Sequence, residues 1–300
     1  MAVLTFPNGQ EVKVEFDETA HSYVIAHKLA DGGFSDFRPT HGITAPLAVV
    51  PKSFLKLWVA KLCVNETIEY LAQHKEVTVN LEQFLQDKQD YDEVTLDENG
   101  KKVMTYYRFT KLYPWYKDLK KAPDRAATKG KELGTWLHTS IEEYYKSDRK
   151  VLPVITDDVA GMWSSFMEFD KFYQPKHDGL EFLVYSLNFG YSGQGDFRGY
   201  MNNKYCIGDW KSTNRSEWNK DGIDVDYFFQ LGGLAQAEFE RTGKWVDDVF
   251  IANFDKKGDE PRVIWASDFG VSPIDCARAY VTCFSAHHTI KDFEYKFLKR

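Results

Sequence analysis

"GQGDFRGYMNNKYCIGDWKST", residues 193–213, places two strand-like runs on either side of Asn202-Asn203. Asparagine tolerates positive φ at little cost, so a two-residue hairpin fits there, and flanking residues then pair with numbers that sum to 405. That register sets Asp196 opposite Asp209, with Cβ atoms about 5 Å apart on one face. Two carboxylates so placed repel each other unless a cation lies between them. Side chains two apart on a strand share a face, so Lys211 points the same way as Asp209, beside the bulky Trp210. Either Asp209 and Lys211 form an ordinary ion pair, or they share a ligand. A shared ligand has a definite chemistry: Mg²⁺ or Mn²⁺ takes carboxylate oxygens and keeps positions for a phosphate, and Lys211 would then meet the phosphate or the attacking water. A slip of one residue would send Asp196 to the other face.

The rest of the composition is that of a soluble globular chain. Three hundred residues, 43% hydrophobic and 16% aromatic, suffice for a large core in one or two domains. The start "MAVLTFPNGQEVKVEF" has neither the basic segment nor the apolar run of a secretory signal, and no stretch has the length of a membrane span, so a cytoplasmic protein without a membrane partner is expected. Cys63, Cys206, Cys276 and Cys283 show no C-x-x-C spacing and read as reduced packing thiols. The net charge of −7 argues against general coating of nucleic acid but leaves room for a local basic groove.

Residues 111–131, "KLYPWYKDLKKAPDRAATKGK", supply such a groove. Lys111, Lys117, Lys120, Lys121, Arg125, Lys129 and Lys131 face two acids, with Tyr113, Trp115 and Tyr116 interleaved. Cations on a backbone and aromatics under bases are how single-stranded nucleic acid is held; a solvated basic face over buried aromatics has the same composition.

Alternation over 10–26 predicts an early hairpin, "SFLKLWVAKLCVNETIEYLAQH" an amphipathic helix, and the acidic run "EQFLQDKQDYDEVTLDENGKKVMTYYRF" a peripheral hairpin around Asn99-Gly100. A further helix, "ATKGKELGTWLHTSIEEYYKS", has the apolar stripe Leu133, Trp136 or Leu137, Ile141 and Tyr144, with His138 and Glu142 neighbours at its edge. Helix "DDVAGMWSSFMEFDKFYQ", strands "LEFLVYSLNFG", "YSGQGDFRGYM" and "KYCIGDWKST", helix "VDYFFQLGGLAQAEFERTG" and strand "VDDVFIANF" complete the core of an α/β protein. No linker divides it, so one compact unit is expected. "GYSGQ" misses the nucleophile-elbow pattern, "GQGDFRG" misses the dinucleotide fingerprint, and His287-His288 reads as local packing or a solvated loop.

"GTWLHTSIEEY" (His138), "GQGD" (Asp196), "GDWKST" (Asp209, Lys211) and "YFFQLGGLAQA" (Gln230) together resemble the RecB-like branch of the PD-(D/E)XK nucleases, whose marks are a helical His, a G-x-x-D strand end, a D-x-K strand and a helix beginning Gln-Leu. The likeness covers roughly residues 125–255. "VVPKSFLKLWVAK" is similar to a helix that precedes the His helix in phage-type and mitochondrial-maintenance single-strand DNA exonucleases. The resemblance implies a restriction-endonuclease-like core, a central mixed sheet flanked by helices, over 125–300. An N-terminal helical and hairpin elaboration over 1–124 would guide DNA.

It further implies Mg²⁺ or Mn²⁺ held by Asp196, Asp209 and the Trp210 carbonyl, with His138 completing the coordination. Lys211 would stabilise the attacking hydroxide and the phosphorane charge, Gln230 would position Lys211 or the DNA backbone, and Glu181 and Glu142 would stand behind the ligands. The implied substrate is DNA, preferably single-stranded, with a single-strand-annealing or single-strand-binding protein as partner, in the host cytoplasm if the chain is phage-encoded. Leu234 replaces a Tyr frequent four residues after the Gln, and the cysteine spacing implies no iron–sulfur cluster.

Overall fold

The computed structural model describes residues 1–50, 121–213 and 224–298, with discontinuous parts of 59–115. The chain forms two compact units, Met1–Pro51 with Leu133–Arg300, and Lys52–Glu132. In the smaller unit Leu81–Asp92 is a helix, α1. Among the described residues, the hairpin expected across this acidic run is represented by the Leu96↔Lys102 bridge, closed by a turn with Gly100 at φ 73°. Leu, Glu, Gln and Lys are good helix formers, and the Gln83 amide donates to Asp87 one turn on (2.9 Å), so local propensity outweighs the acidity. Most of the helix expected over 53–74 lies outside the described residues.

The larger unit is a mixed α/β structure built on a nine-stranded sheet flanked by helices, the class the sequence implies. Strands β1 (Ala2–Thr5), β2 (Glu11–Asp17), β3 (Ser22–His27) and β4 (Arg38–Gly42) form an antiparallel meander containing the expected early hairpin. Though N-terminal to residue 124, they extend the main sheet, because β4 pairs in parallel with the start of β6 (Tyr191–Met201). β5 (Lys176–Tyr185) runs antiparallel along one edge of β6. On the other edge β7 (Lys204–Lys211) takes Phe197 to Met201. A strand has two edges, so β4 at Tyr191–Ser192 and β7 at Phe197–Met201 share the second, and among the described residues the edge between them carries no strand. The site forms at that gap. β7 continues to β8 (Asp248–Asn253, parallel) and β9 (Arg262–Trp265, antiparallel).

The β6–β7 hairpin has the register read from the sequence. Its pairs, from Phe197↔Gly208 to Met201↔Lys204, sum to 405. Asn202 and Asn203 take φ of 52° and 61°, the left-handed pair that a tight hairpin turn needs.

Helices cover both faces. α2 (Ala122–Lys146) and α3 (Asp157–Tyr173) bury Leu137, Ile141, Met162, Phe166 and Phe169 against Phe197, Trp210, Phe250 and Phe254. On the other face, α4 (Val225–Thr242) and α5 (Pro273–Leu298) bury Leu231, Leu234, Tyr280 and Phe284 against Ile207, Val249 and Ile251. His287 and His288 lie on α5 rather than in a loop, and His288 packs on Phe284 and on His41 of β4, with ring centroids 4.3 and 4.5 Å away. Among the described residues no helix is long and apolar enough to cross a membrane.

Candidate active site

Three carboxylates lie in one row across three neighbouring strands. The β5–β6 pairs Leu180↔Phe197 and Phe182↔Gly195 bracket Glu181 and Asp196, and the hairpin register brings Asp209 next in line. The β6–β7 ladder stops at Phe197↔Gly208, one residue short of the Asp196–Asp209 pair expected to face directly across it. Asp196 Oδ2 instead accepts the Trp210 N–H at 2.7 Å, so a side chain takes the place of a backbone partner as the strands part. Glu181 has φ 45°, a left-handed conformation costly for a residue with a Cβ, at the row where its carboxylate meets the others.

His138 of α2 reaches into this opening. Nδ1 lies 3.3 Å from Asp196 Oδ1 and 3.6 Å from Glu181 Oε1, while Nε2 donates to the Trp210 carbonyl at 3.1 Å. The Trp210 indole, 1% exposed, is clamped among Phe169, Phe197, Phe250 and Phe254, which fixes where its carbonyl points. Burial alone would lower the His138 pKa, but the charge of Asp196 and hydrogen bonds to Asp196 and Glu181 outweigh it and lift it to about 10. The ring is therefore a cation at neutral pH, enclosed by two carboxylates and a carbonyl.

Asp209 and Lys211 form the ion pair that was one of the two readings of their spacing. Burial pushes the Asp209 carboxyl up, Lys211 pulls it back and Asp196 pushes it up again, leaving it at about 6. For Asp196, burial is outweighed by His138, Lys211 and the Trp210 N–H, which hold its carboxyl below the ordinary value. Burial likewise disfavours the Lys211 ammonium, yet Asp209 and Asp196 raise its pKa. Three carboxylates, Glu181, Asp196 and Asp209, thus face two side-chain cations, His138 and Lys211.

Glu142 pairs with Lys146 at 2.5 Å rather than with His138. Gln230 is half-buried on α4, but the close partners of Lys211 are Asp209 and the Tyr227 ring, 4.8 Å from Nζ. Leu234 is buried in the core, facing Gly195. Of the basic aromatic stretch, Lys111, Lys121, Arg125 and Lys129 are exposed and Trp115 packs on Phe84 with centroids 5.2 Å apart; Tyr113, Tyr116, Lys117 and Lys120 lie outside the described residues.

The site opens into a cavity of about 740 Å³ lined in part by Glu15, Glu18, Glu142, Glu181 and Gln194. Gln194 Nε2 donates to Glu181 Oε2 at 2.5 Å and fixes its free oxygen. Gln194, Tyr227, Glu15 and Glu18 were not singled out in the sequence. Gln194 lies two residues before Asp196, a spacing that assigns it to the same strand face.

The donors suit a hard divalent cation. One imidazole nitrogen and two carboxylate oxygens from His138, Glu181 and Asp196 lie within 4.8 Å of one another, and the imidazolium now stands as the positive charge among them.

No family model matches the chain, and no curated protein matches it. Among solved structures it is similar to an alkaline exonuclease from Laribacter hongkongensis, 15% identical over 50% of this chain and 76% of that one, with a TM-score of 0.30. It is also similar to SSO0001, 11% identical over 53% of this chain and 72% of that one, with a TM-score of 0.29. Likeness at that level carries no weight for the chemistry, which rests on the side chains.

Proposed function

We propose that this chain is a metal-dependent deoxyribonuclease, an exonuclease that hydrolyses phosphodiester bonds from single-stranded DNA ends in phage-type replication, recombination or repair. The observation that carries this reading is the convergence of Glu181, Asp196, Asp209, Lys211 and His138 where β6 and β7 part, beside an open cavity.

Asp196, Asp209, the Trp210 carbonyl and, once its proton is displaced, His138 would hold Mg²⁺ or Mn²⁺, with Glu181 beside them. When bound, such an ion polarises the phosphate and lowers the pKa of the attacking water. Asp196 and Asp209 contribute fixed negative charge, and the buried indole of Trp210 keeps its carbonyl aimed inward. Lys211 brings a cation to the oxygens that gain charge in the transition state, a role suited to an ammonium anchored beside a carboxylate. Gln230 and the basic aromatic stretch, Lys111, Tyr113, Trp115, Tyr116, Lys117, Lys120, Lys121, Arg125 and Lys129, would guide the strand. A single-strand-annealing or single-strand-binding protein, which shares the single-stranded substrate, would be its partner.

The test is product length against time on end-labelled single- and double-stranded oligonucleotides with Mg²⁺ or Mn²⁺, with Asp209→Ala alongside. Metal-dependent shortening of the single strand that disappears in the variant supports the proposal. Faster loss of the duplex would make the chain a double-strand exonuclease feeding recombination. Inert wild-type protein with intact DNA binding would make it a nucleic-acid-binding protein on the same fold.

A further inference from the structure

We infer that Tyr227 is a positioning residue for Lys211, holding the ammonium against its ring so that the charge stays aimed at the carboxylate row. The kinetic consequence rests on the nuclease reading above; the contact does not.

Lys211 is the last residue of β7, and its Nζ lies 4.8 Å from the centroid of the Tyr227 ring while it pairs with Asp209. A lysine has four rotatable bonds, so one contact with a carboxylate on its own strand leaves the ammonium free to swing around that partner. A second contact from another element removes the freedom. Tyr227 lies in the first turn of α4, and its ring packs against the core cluster that holds Leu231, Leu234 and Ala235 of the same helix. The ring is therefore fixed by the core, not by Lys211. Its face attracts a cation through the ring quadrupole and keeps water off one side of a side chain that is only 22% exposed. Tyr227 stands three residues before Gln230, so the two share one face of α4.

The interaction uses the ring rather than the hydroxyl. Tyr227→Phe should keep it and Tyr227→Leu, which retains an apolar side chain without a ring, should lose it. In ¹³C-lysine-labelled protein the Lys211 Hε resonances, assigned by their loss in Lys211→Arg, are expected upfield of the other lysines through the ring current. That shift should persist in Tyr227→Phe and collapse in Tyr227→Leu. With single-stranded oligonucleotide and Mg²⁺, Tyr227→Leu should lower kcat about tenfold at unchanged KM, with Tyr227→Phe within about twofold of wild type. Lys211 Hε at ordinary lysine positions in the wild type, a shift that survives in Tyr227→Leu, or an unchanged kcat in Tyr227→Leu would each overturn the inference. Wild-type protein that cleaves nothing overturns the nuclease reading instead, and the resonance shift alone then decides whether Tyr227 holds Lys211.

Discussion

Asp209 and Lys211 neutralise one another where water has little access, with side chains 12% and 22% exposed. Removing the ammonium leaves a carboxylate that burial already opposes, so Lys211→Ala should cost about 3 kcal/mol of stability at neutral pH, read from denaturant midpoints. Because a divalent cation can supply the missing charge, Mg²⁺ should recover part of that loss; equal stability of variant and wild type would show the pair to be solvated. The same substitution should spare DNA affinity while turnover falls, and unchanged turnover would remove Lys211 from the chemistry. Asp196, Asp209 and Lys211 were legible in the sequence because a tight hairpin at Asn202-Asn203 fixes their register from local information. Glu181 could be matched only through the family likeness. The register of β5 shifts between His177 and Gly179, so counting along the strand does not reveal which residue faces Asp196. Glu15 and Glu18 reach the cavity through contacts far apart in the chain, which no local pattern encodes.

Helix packing around the sheet depends on two glycines that admit backbone. A Cβ on Gly232 of α4 would stand 2.2 Å from the Cys276 carbonyl carbon of α5, and one on Gly161 of α3 would stand 2.2 Å from the Lys256 carbonyl oxygen. Gly232→Ala should therefore destabilise by about 1–3 kcal/mol despite the better helix propensity of alanine. Gly130→Ala on α2, where nothing lies within 4 Å of the new methyl, should gain up to about 1 kcal/mol. Urea unfolding of both variants checks the pair; stabilisation by both would mean that α4 and α5 are not in close contact. Most helices and the central strands were readable from periodicity, since each buries one face. In the acidic run the Asn99-Gly100 turn signal holds only locally, at the Leu96↔Lys102 bridge, while helix propensity governs α1 before it. The parallel β4–β6 pairing joins residues about 150 apart and has no local signature, so the meander gave no sign of extending the sheet.

At the scale of the larger unit, the central strands of one sheet separate two helix-covered layers. Cys206 is buried in the layer under α2 and α3, and Cys276 in the layer under α4 and α5. Burial pushes these thiols up to about 12 and about 11, whereas Cys63 and Cys283 are half-buried. Alkylation at pH 8 followed by mass spectrometry should modify Cys63 and Cys283 first, and Cys206 and Cys276 together across the unfolding transition. Separate unmasking of the last two would show that the two layers melt independently. The sheet joins these layers while its parting strands bring the carboxylate row together beside the cavity, and divalent-cation binding by this row is what the nuclease reading requires. Its most direct test is a Mn²⁺ titration followed by electron paramagnetic resonance on wild type, Asp196→Asn and Asp209→Ala, with circular dichroism to establish that each is folded. Saturable binding by the wild type, weakened at least tenfold in both folded variants, is expected; no saturable binding, or three superimposable isotherms, would show that the row holds no metal.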